Sequence, residues 1–309
     1  MKQLLTLILA FGLILNIGYA QQDPLFTQYA FNQVALNPGV AGTHDALSLT
    51  AMSRIQWNDI AGAPQTHIFS GHMPLNNGNM GLGVTFFNDE IGVSRQNELG
   101  FVYAYELEFE NSKLSFGART SFSTFRADYA DVDLGNIFDP EFSVNTFNDF
   151  GINFGAGAYY YSDNYYVGLS VPNLTRNTYS SEFSSDLNFV RDRVYYLLAG
   201  YVFDLSADFK LKPYTNIRVA EGSPIQIDLN ASVIYKEQVY LGIGVRPNSS
   251  VSAMFEWQID RFRLGYAADF LNNDASAFGR AANEFLLNYV IPTSKKRTSK
   301  FRSGPSRFF

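Results

Sequence analysis

The sequence predicts an all-β fold, a transmembrane antiparallel β-barrel of about fourteen strands with a short N-terminal plug-like segment, and three observations carry this. Apolar and polar side chains alternate residue by residue over most of the chain, as in a strand with one face in lipid and one in water. The alternating segments average roughly ten residues, the length that crosses a bilayer at a tilt of about 45°. No stretch after residue 20 approaches the ~18 consecutive apolar residues of a membrane-spanning helix.

Composition agrees. Of 309 residues, 16% are aromatic, with 28 Phe and 19 Tyr, and 17% are charged, below the ~25% usual in soluble domains. Alternation averages out in the mean hydropathy of -0.09. The net charge of -6 argues against nucleic acid as a partner. The chain has no cysteine, which excludes disulfides, thiolate metal sites and cysteine nucleophiles.

Residues 1–20 read as a signal peptide. Lys2 supplies the positive start, Leu4 to Leu15 the apolar core, and Gly18-Tyr19-Ala20 the small residues of a cleavage site, so the mature chain is expected to begin at Gln21. Residues 21–45 form an N-terminal periplasmic or plug segment. Leu25, Phe26, Tyr29, Phe31, Val34 and Leu36 make it too apolar for a disordered tail. A short helix or turn near 25–36, ending before Pro38, is expected to pack against the barrel or enter its lumen.

Residues 46–292 form the barrel. The clearest strand runs from Glu98 to Phe109, with Leu99, Phe101, Tyr103, Tyr105, Leu107 and Phe109 on one face. Strands are predicted near 46–54, 66–73, 80–88, 97–109, 113–126, 150–161, 164–171, 192–203, 208–219, 224–235, 238–246, 250–259, 261–270 and 283–292. The even-numbered connections are all short, and every long one is odd-numbered: 55–65, 127–149, 172–191 and 271–282. Bacterial barrels have short periplasmic turns, longer outer loops and both termini in the periplasm, which sorts loops in this way. Aromatics at strand ends (Phe86-Phe87, Tyr159-Tyr160-Tyr161, Tyr165-Tyr166, Tyr195-Tyr196 and Trp257) are expected to form interfacial girdles facing the lipid headgroups. Glycines at 81, 83, 117, 151, 155, 157, 168, 242, 244 and 265 fall mostly on the polar face, where they permit curvature or close approach of a plug. Glu98, Glu106, Glu108, Arg119, Asp228, Glu256, Arg263 and Asp269 are expected to line the lumen. Residues 293–309 form a basic C-terminal tail with Lys295, Lys296, Arg297, Lys300, Arg302 and Arg307 and no acid.

Little points to chemistry. His67 and His72 lie five apart and so face opposite sides of a strand, poor geometry for one metal. Asp131 and Asp133 alternate as in some calcium loops but lack the rest of such a loop. No nucleophile–base–acid set has a recognisable context. No cofactor, metal or catalytic residue is expected.

The N-terminal segment carries a more specific signal. Gln22-Asp23-Pro24-Leu25-Phe26-Thr27-Gln28-Tyr29, then Phe31-Asn32 and Asn37-Pro38-Gly39-Val40-Ala41-Gly42, resembles the start of the PorP/SprF family of Bacteroidetes. The similarity continues through Arg54-Ile55-Gln56-Trp57, Gly62-Ala63-Pro64-Gln65-Thr66, Pro74-Leu75, Gly81-Leu82-Gly83-Val84 and Asp89-Glu90-Ile91-Gly92, and returns at Gly200-Tyr201 and Leu264-Gly265-Tyr266. The resemblance implies a cell outer-membrane protein of the type IX secretion system. Its implied role is exporting or anchoring large surface proteins, including gliding adhesins with a C-terminal sorting domain. Implied partners are that cargo, other type IX secretion components and outer-membrane lipids. Asp23, Pro24, Gln28, Tyr29, Asn32, Asn37, Pro38 and Trp57 are the candidate partner-binding or plug residues, expected to organise the periplasmic end of the barrel. The alternative reading is an outer-membrane channel or transporter for small solutes; a membrane enzyme is a weaker third.

Overall fold

The computed structural model describes residues 26–44, 46–57, 60–75, 79–128, 146–180, 188–272 and 281–292. The first strands are β1 (Ala46–Gln56), β2 (Gln65–Pro74), β3 (Met80–Ile91), β4 (Ser94–Glu108), β5 (Lys113–Asp128), β6 (Thr146–Tyr161) and β7 (Tyr165–Val171). They pair in sequence order, every neighbour antiparallel. The chain continues through β8 (Asn177–Ser180), β9 (Asn188–Arg191), β10 (Val194–Tyr201), β11 (Phe203–Asp204), β12 (Phe209–Ala220), β13 (Gln226–Tyr235), β14 (Val239–Arg246), β15 (Ser250–Ile259), β16 (Phe262–Leu271) and β17 (Ala281–Pro292). β7 pairs with β10, β10 with β12, and β12 to β17 again pair in order. The first and last strands then meet along eleven residue pairs, from Ala46↔Pro292 to Gln56↔Ala282. The sheet therefore closes on itself.

The closed barrel has 14 strands. β8 and β9 form a separate two-stranded hairpin, and β10 and β11 are one crossing strand interrupted at Val202, whose N–H donates to the Asn164 carbonyl (2.7 Å). Each predicted strand is present, with ends shifted by a few residues. The largest extensions are on β3 to β6, at the end away from the short turns. There Asn88 bonds Asn97 across the ladder (3.0 Å) and Arg95 pairs with Glu90 (2.9 Å). These polar cross-strand pairs continue the sheet past the point where apolar alternation stops, which is why hydropathy alone ends the strands early. The β8–β9 hairpin also went unpredicted. It lies in the long 172–191 connection.

Sidedness is inverted relative to a water-soluble barrel. Phe101, Phe154, Leu169, Leu241, Ile243 and Phe285 are each about half exposed or more on the outer surface, while Glu98, Arg119, Asp228, Glu256, Asp269 and Glu284 are buried inside. Seven of the eight predicted lumen charges are buried; Glu108 is exposed near the end of β4, where it meets Lys113 (3.7 Å). The aromatic prediction needs correction. Tyr160, Tyr165, Tyr195 and Trp257 do face outward, but Tyr159, Tyr161, Tyr166 and Tyr196 are buried in the lumen core. A period of two sends adjacent residues to opposite faces, so a Tyr-Tyr pair supplies one ring to each. The outward rings near the short turns form a belt: Tyr165 stacks on Tyr201, Tyr201 meets Phe203, Phe209 meets Tyr235 and Phe262 meets Tyr289.

Ile243 sits mid-strand in β14, 67% exposed. Ile243→Arg places a cation in hydrocarbon and is expected to destabilise the barrel by about 2–4 kcal/mol. Urea titration in lipid vesicles, read by heat-modifiable gel mobility, checks this; an unchanged midpoint would contradict the lipid-facing assignment.

Candidate functional site

Residues 26–44 lie inside the barrel and are almost entirely buried. They make three single-turn 3-10 helices, Tyr29–Phe31, Gln33–Ala35 and Pro38–Val40. The chain was expected to finish its turn before Pro38; instead Pro38 opens the third one. Asn37 is extended (φ -132°, ψ 110°), and its side chain accepts from the Gly39 N–H (2.8 Å). A proline at the first position needs no N–H partner, so this Asn-Pro-Gly stretch is a capped start rather than a stop.

The wall is cut to fit the segment. A Cβ at Gly117 of β5 would stand 2.1 Å from the Pro38 carbonyl carbon, one at Gly157 of β6 2.1 Å from Asn37 Oδ1, and one at Gly81 of β3 2.0 Å from the Ala41 carbonyl oxygen. Only glycine lets the two backbones approach this closely. Gly168 and Gly265 likewise face Asn37 and Gln28, whereas Gly242 and Gly244 face wall side chains.

Hydrogen bonds fix the register. Asn37 Nδ2 donates to the Ala158 carbonyl (3.0 Å), Ser170 Oγ to the Leu36 carbonyl (2.8 Å), Ser70 Oγ to Asn32 Oδ1 (2.5 Å) and Asn230 Nδ2 to the Tyr29 hydroxyl (3.1 Å). At the far end of the segment, the main-chain N–H groups of Thr27 and Gln28 both donate to Glu284 Oε2 (2.9 and 3.1 Å), and Thr27 Oγ1 donates to Asp269 (2.6 Å). Arg54 pairs with Asp269 (2.7 Å) and lies 3.6 Å from Glu284. The Phe31 ring sits between two cations, Lys212 Nζ at 4.5 Å and the Arg263 guanidinium at 4.3 Å, and packs edge-on to Tyr240. Apart from the Arg54 pairs, which lie within the wall, each contact joins a segment residue to the wall.

Three further pairs of wall charges form within the wall itself. Arg119 bonds Glu98, Arg246 bonds Asp228, and Lys113 bonds Glu106 (3.1 Å). His67 is exposed and His72 buried, on opposite faces as expected. His72 instead meets the His44 ring edge-on (ring centroids 4.6 Å apart) and accepts from the Gly42 N–H (3.2 Å). Desolvation, with lesser contributions from His72 and Arg263, holds the His44 imidazole well below the usual histidine range.

Of the candidate residues, Gln28, Tyr29, Asn32, Asn37 and Pro38 come together in this seat. Asp23 and Pro24 lie outside the described residues, as do Asp131 and Asp133. Trp57 stands apart. It follows β1 in the left-handed region (φ 49°), at the opposite end of that strand from Ala46. Sequence reasoning missed Arg54, Glu284 and Lys212, all at most 4% exposed. A signal was present for two of them: Arg54 and Glu284 are each the one charge on their strand, at an inward position, whereas Lys212 shares β12 with Lys210 and Arg218.

A closed β-barrel with an apolar outer band, a charged interior and connections sorted by length is an outer-membrane β-barrel protein. Residues 18–289 match the family model described as type IX secretion system membrane protein PorP/SprF, and the chain belongs to that family. No curated protein sequence matches the chain. Among solved structures it is similar to the CymD monoaromatic hydrocarbon channel (14% identity, 91% of this chain and 96% of that one, TM-score 0.50). It is also similar to the outer membrane protein Omp33 of Acinetobacter baumannii (10% identity, 82% and 100%, TM-score 0.48) and to the KdgM porin (8%, 78% and 98%, TM-score 0.38). At these identities the likeness to CymD is one of fold.

Two substitutions test the seat. Gly117→Val is expected to unseat the segment while the barrel stays closed. Limited chymotrypsin digestion should then cut at Tyr29 or Phe31, which the wild type protects. Glu284→Gln removes the charged acceptor of two N–H groups and is expected to cost about 1–3 kcal/mol, seen as a lower urea midpoint.

Proposed function

We propose that this protein is a non-enzymatic component of the type IX secretion machinery that aids export or surface anchoring of large secreted proteins, gliding adhesins among them. One observation carries the reading beyond family membership: the chain's own residues 26–44 occupy the lumen and are bonded to β2, β6, β7, β13, β16 and β17. A barrel that commits its lumen to an internal segment acts as a plugged, rigid platform. It offers its outer connections and short-turn rim to other proteins, where a porin offers a bore to solutes. Residues 26–44 are the plug in this reading. Secreted surface proteins with a C-terminal sorting domain are the cargo, other type IX components are the partners, and outer-membrane lipids solvate the apolar band.

Deleting the gene and profiling surface proteins tests this. Loss from the surface of one or a few large secreted proteins, with solute uptake unchanged, is the expected outcome. An intact surface profile with altered uptake of a small solute would overturn it in favour of a channel, and purified wild-type protein is expected to show no steady conductance in planar bilayers.

A further inference from the structure

We propose that residues 26–44 are threaded through the barrel with their N-terminal end directed to the cell exterior, held there by an Arg54–Asp269–Glu284 site that binds main-chain N–H groups. This is independent of what the barrel handles, and it goes beyond the expectation that the segment organises the periplasmic end.

The direction follows from where each contact falls along its strand. β1 begins at Ala46 and β17 ends at Pro292, and these two residues pair at the end that also carries the short turns 75–79, 109–112, 162–164 and 236–238. Short turns and both barrel termini belong in the periplasm. Moving backward from Ala46, Gly42 bonds His72, near the Pro74 end of β2 on that rim. Asn37 bonds Ala158, close to the Tyr161 end of β6 on the same rim. Asn32 bonds Ser70 in the middle of β2. Thr27 then reaches Glu284, close to the Ala281 start of β17, and Asp269, close to the Leu271 end of β16. Arg54, which pairs with Asp269, is near the Gln56 end of β1. These last three residues lie at the opposite rim. The segment thus ascends from periplasmic rim to outer half as it is followed toward its N-terminus.

The receiving site suits a peptide main chain. Glu284 is fully buried, and its carboxylate accepts two consecutive backbone N–H groups while Asp269 takes the Thr27 hydroxyl. Arg54 holds both acids against their mutual repulsion. A strand tilted by about 45° rises roughly 2.3 Å per residue along the barrel axis, so Glu284 lies on the order of 7 Å below the outer strand ends.

Because the chain has no cysteine, single cysteines report position cleanly. Asp23→Cys marks the N-terminus, Ser223→Cys the outer connection after β12, and Asp163→Cys the short turn after β6. Intact cells are treated with a membrane-impermeant biotin-maleimide, and barrel assembly is confirmed by heat-modifiable mobility. The expected result is that Asp23→Cys is labelled to the level of Ser223→Cys and at least tenfold above Asp163→Cys. Labelling of Asp23→Cys only after the outer membrane is permeabilised, or only after denaturation, would overturn the proposal. If Asp23→Cys fails to assemble, Gln22→Cys is read by the same criterion.

Discussion

Backbone N–H and C=O groups find no partner in hydrocarbon, so a sheet that enters lipid must pair its last strand with its first. The seam between β1 and β17 is where this chain meets that demand. Closure then dictates the rest. One face of every strand turns to lipid and must be apolar; the other turns inward, and a period of two enforces the split at each step. The inward face of so many strands is too large for its own side chains to fill. Something must occupy the lumen, water or protein, and here residues 26–44 do so.

Filling a polar lumen with a mostly apolar segment raises a second demand. Its backbone lies in 3-10 turns, which leave more N–H and C=O groups unmatched than a long helix would. The wall supplies part of what is missing, Ser170 donating to the Leu36 carbonyl and Glu284 accepting from the Thr27 and Gln28 N–H groups, while Ser70, Asn230 and the Ala158 carbonyl hold side chains of the segment. Apolar faces are met by aromatic ones, with Tyr29 edge-on to Tyr214 and Phe31 to Tyr240. Buried inward polar residues that would destabilise a soluble core are here the complement of a segment from the same chain.

The fold was legible because its signals are local and periodic. Alternation located each crossing strand, and loop length separated the two rims. Strands ran on past the apolar band at Asn88–Asn97 and Glu90–Arg95 because cross-strand polar pairs hold a ladder as well as hydropathy does. The seat was half legible. Asn37, Pro38 and the glycines at 81, 117 and 157 stood out as residue types with a backbone meaning, but glycine announces room without saying what fills it. Glu284, Arg54 and Lys212 were hidden because their partners are distant in sequence: Thr27 and Glu284 are 257 positions apart. Tyr159 and Tyr166 were placed with the wrong neighbours because aromatic clusters at strand ends look alike whether they face headgroups or the lumen.

The position of the carboxylate site ties closure to the segment. Glu284 lies on β17 and Arg54 on β1, paired directly across the seam, with Asp269 on the adjoining β16. In the closed barrel both acids are buried, and without Arg54 they would stand as two desolvated carboxylates side by side. Once β1 and β17 zip together, Arg54 neutralises the pair and sets the geometry that Thr27 and Gln28 recognise. Because the segment precedes β1 directly, the same closure that brings Arg54 into place brings the segment's root to the rim from which it must enter. The seam and the lumen segment thus meet at the same three buried side chains.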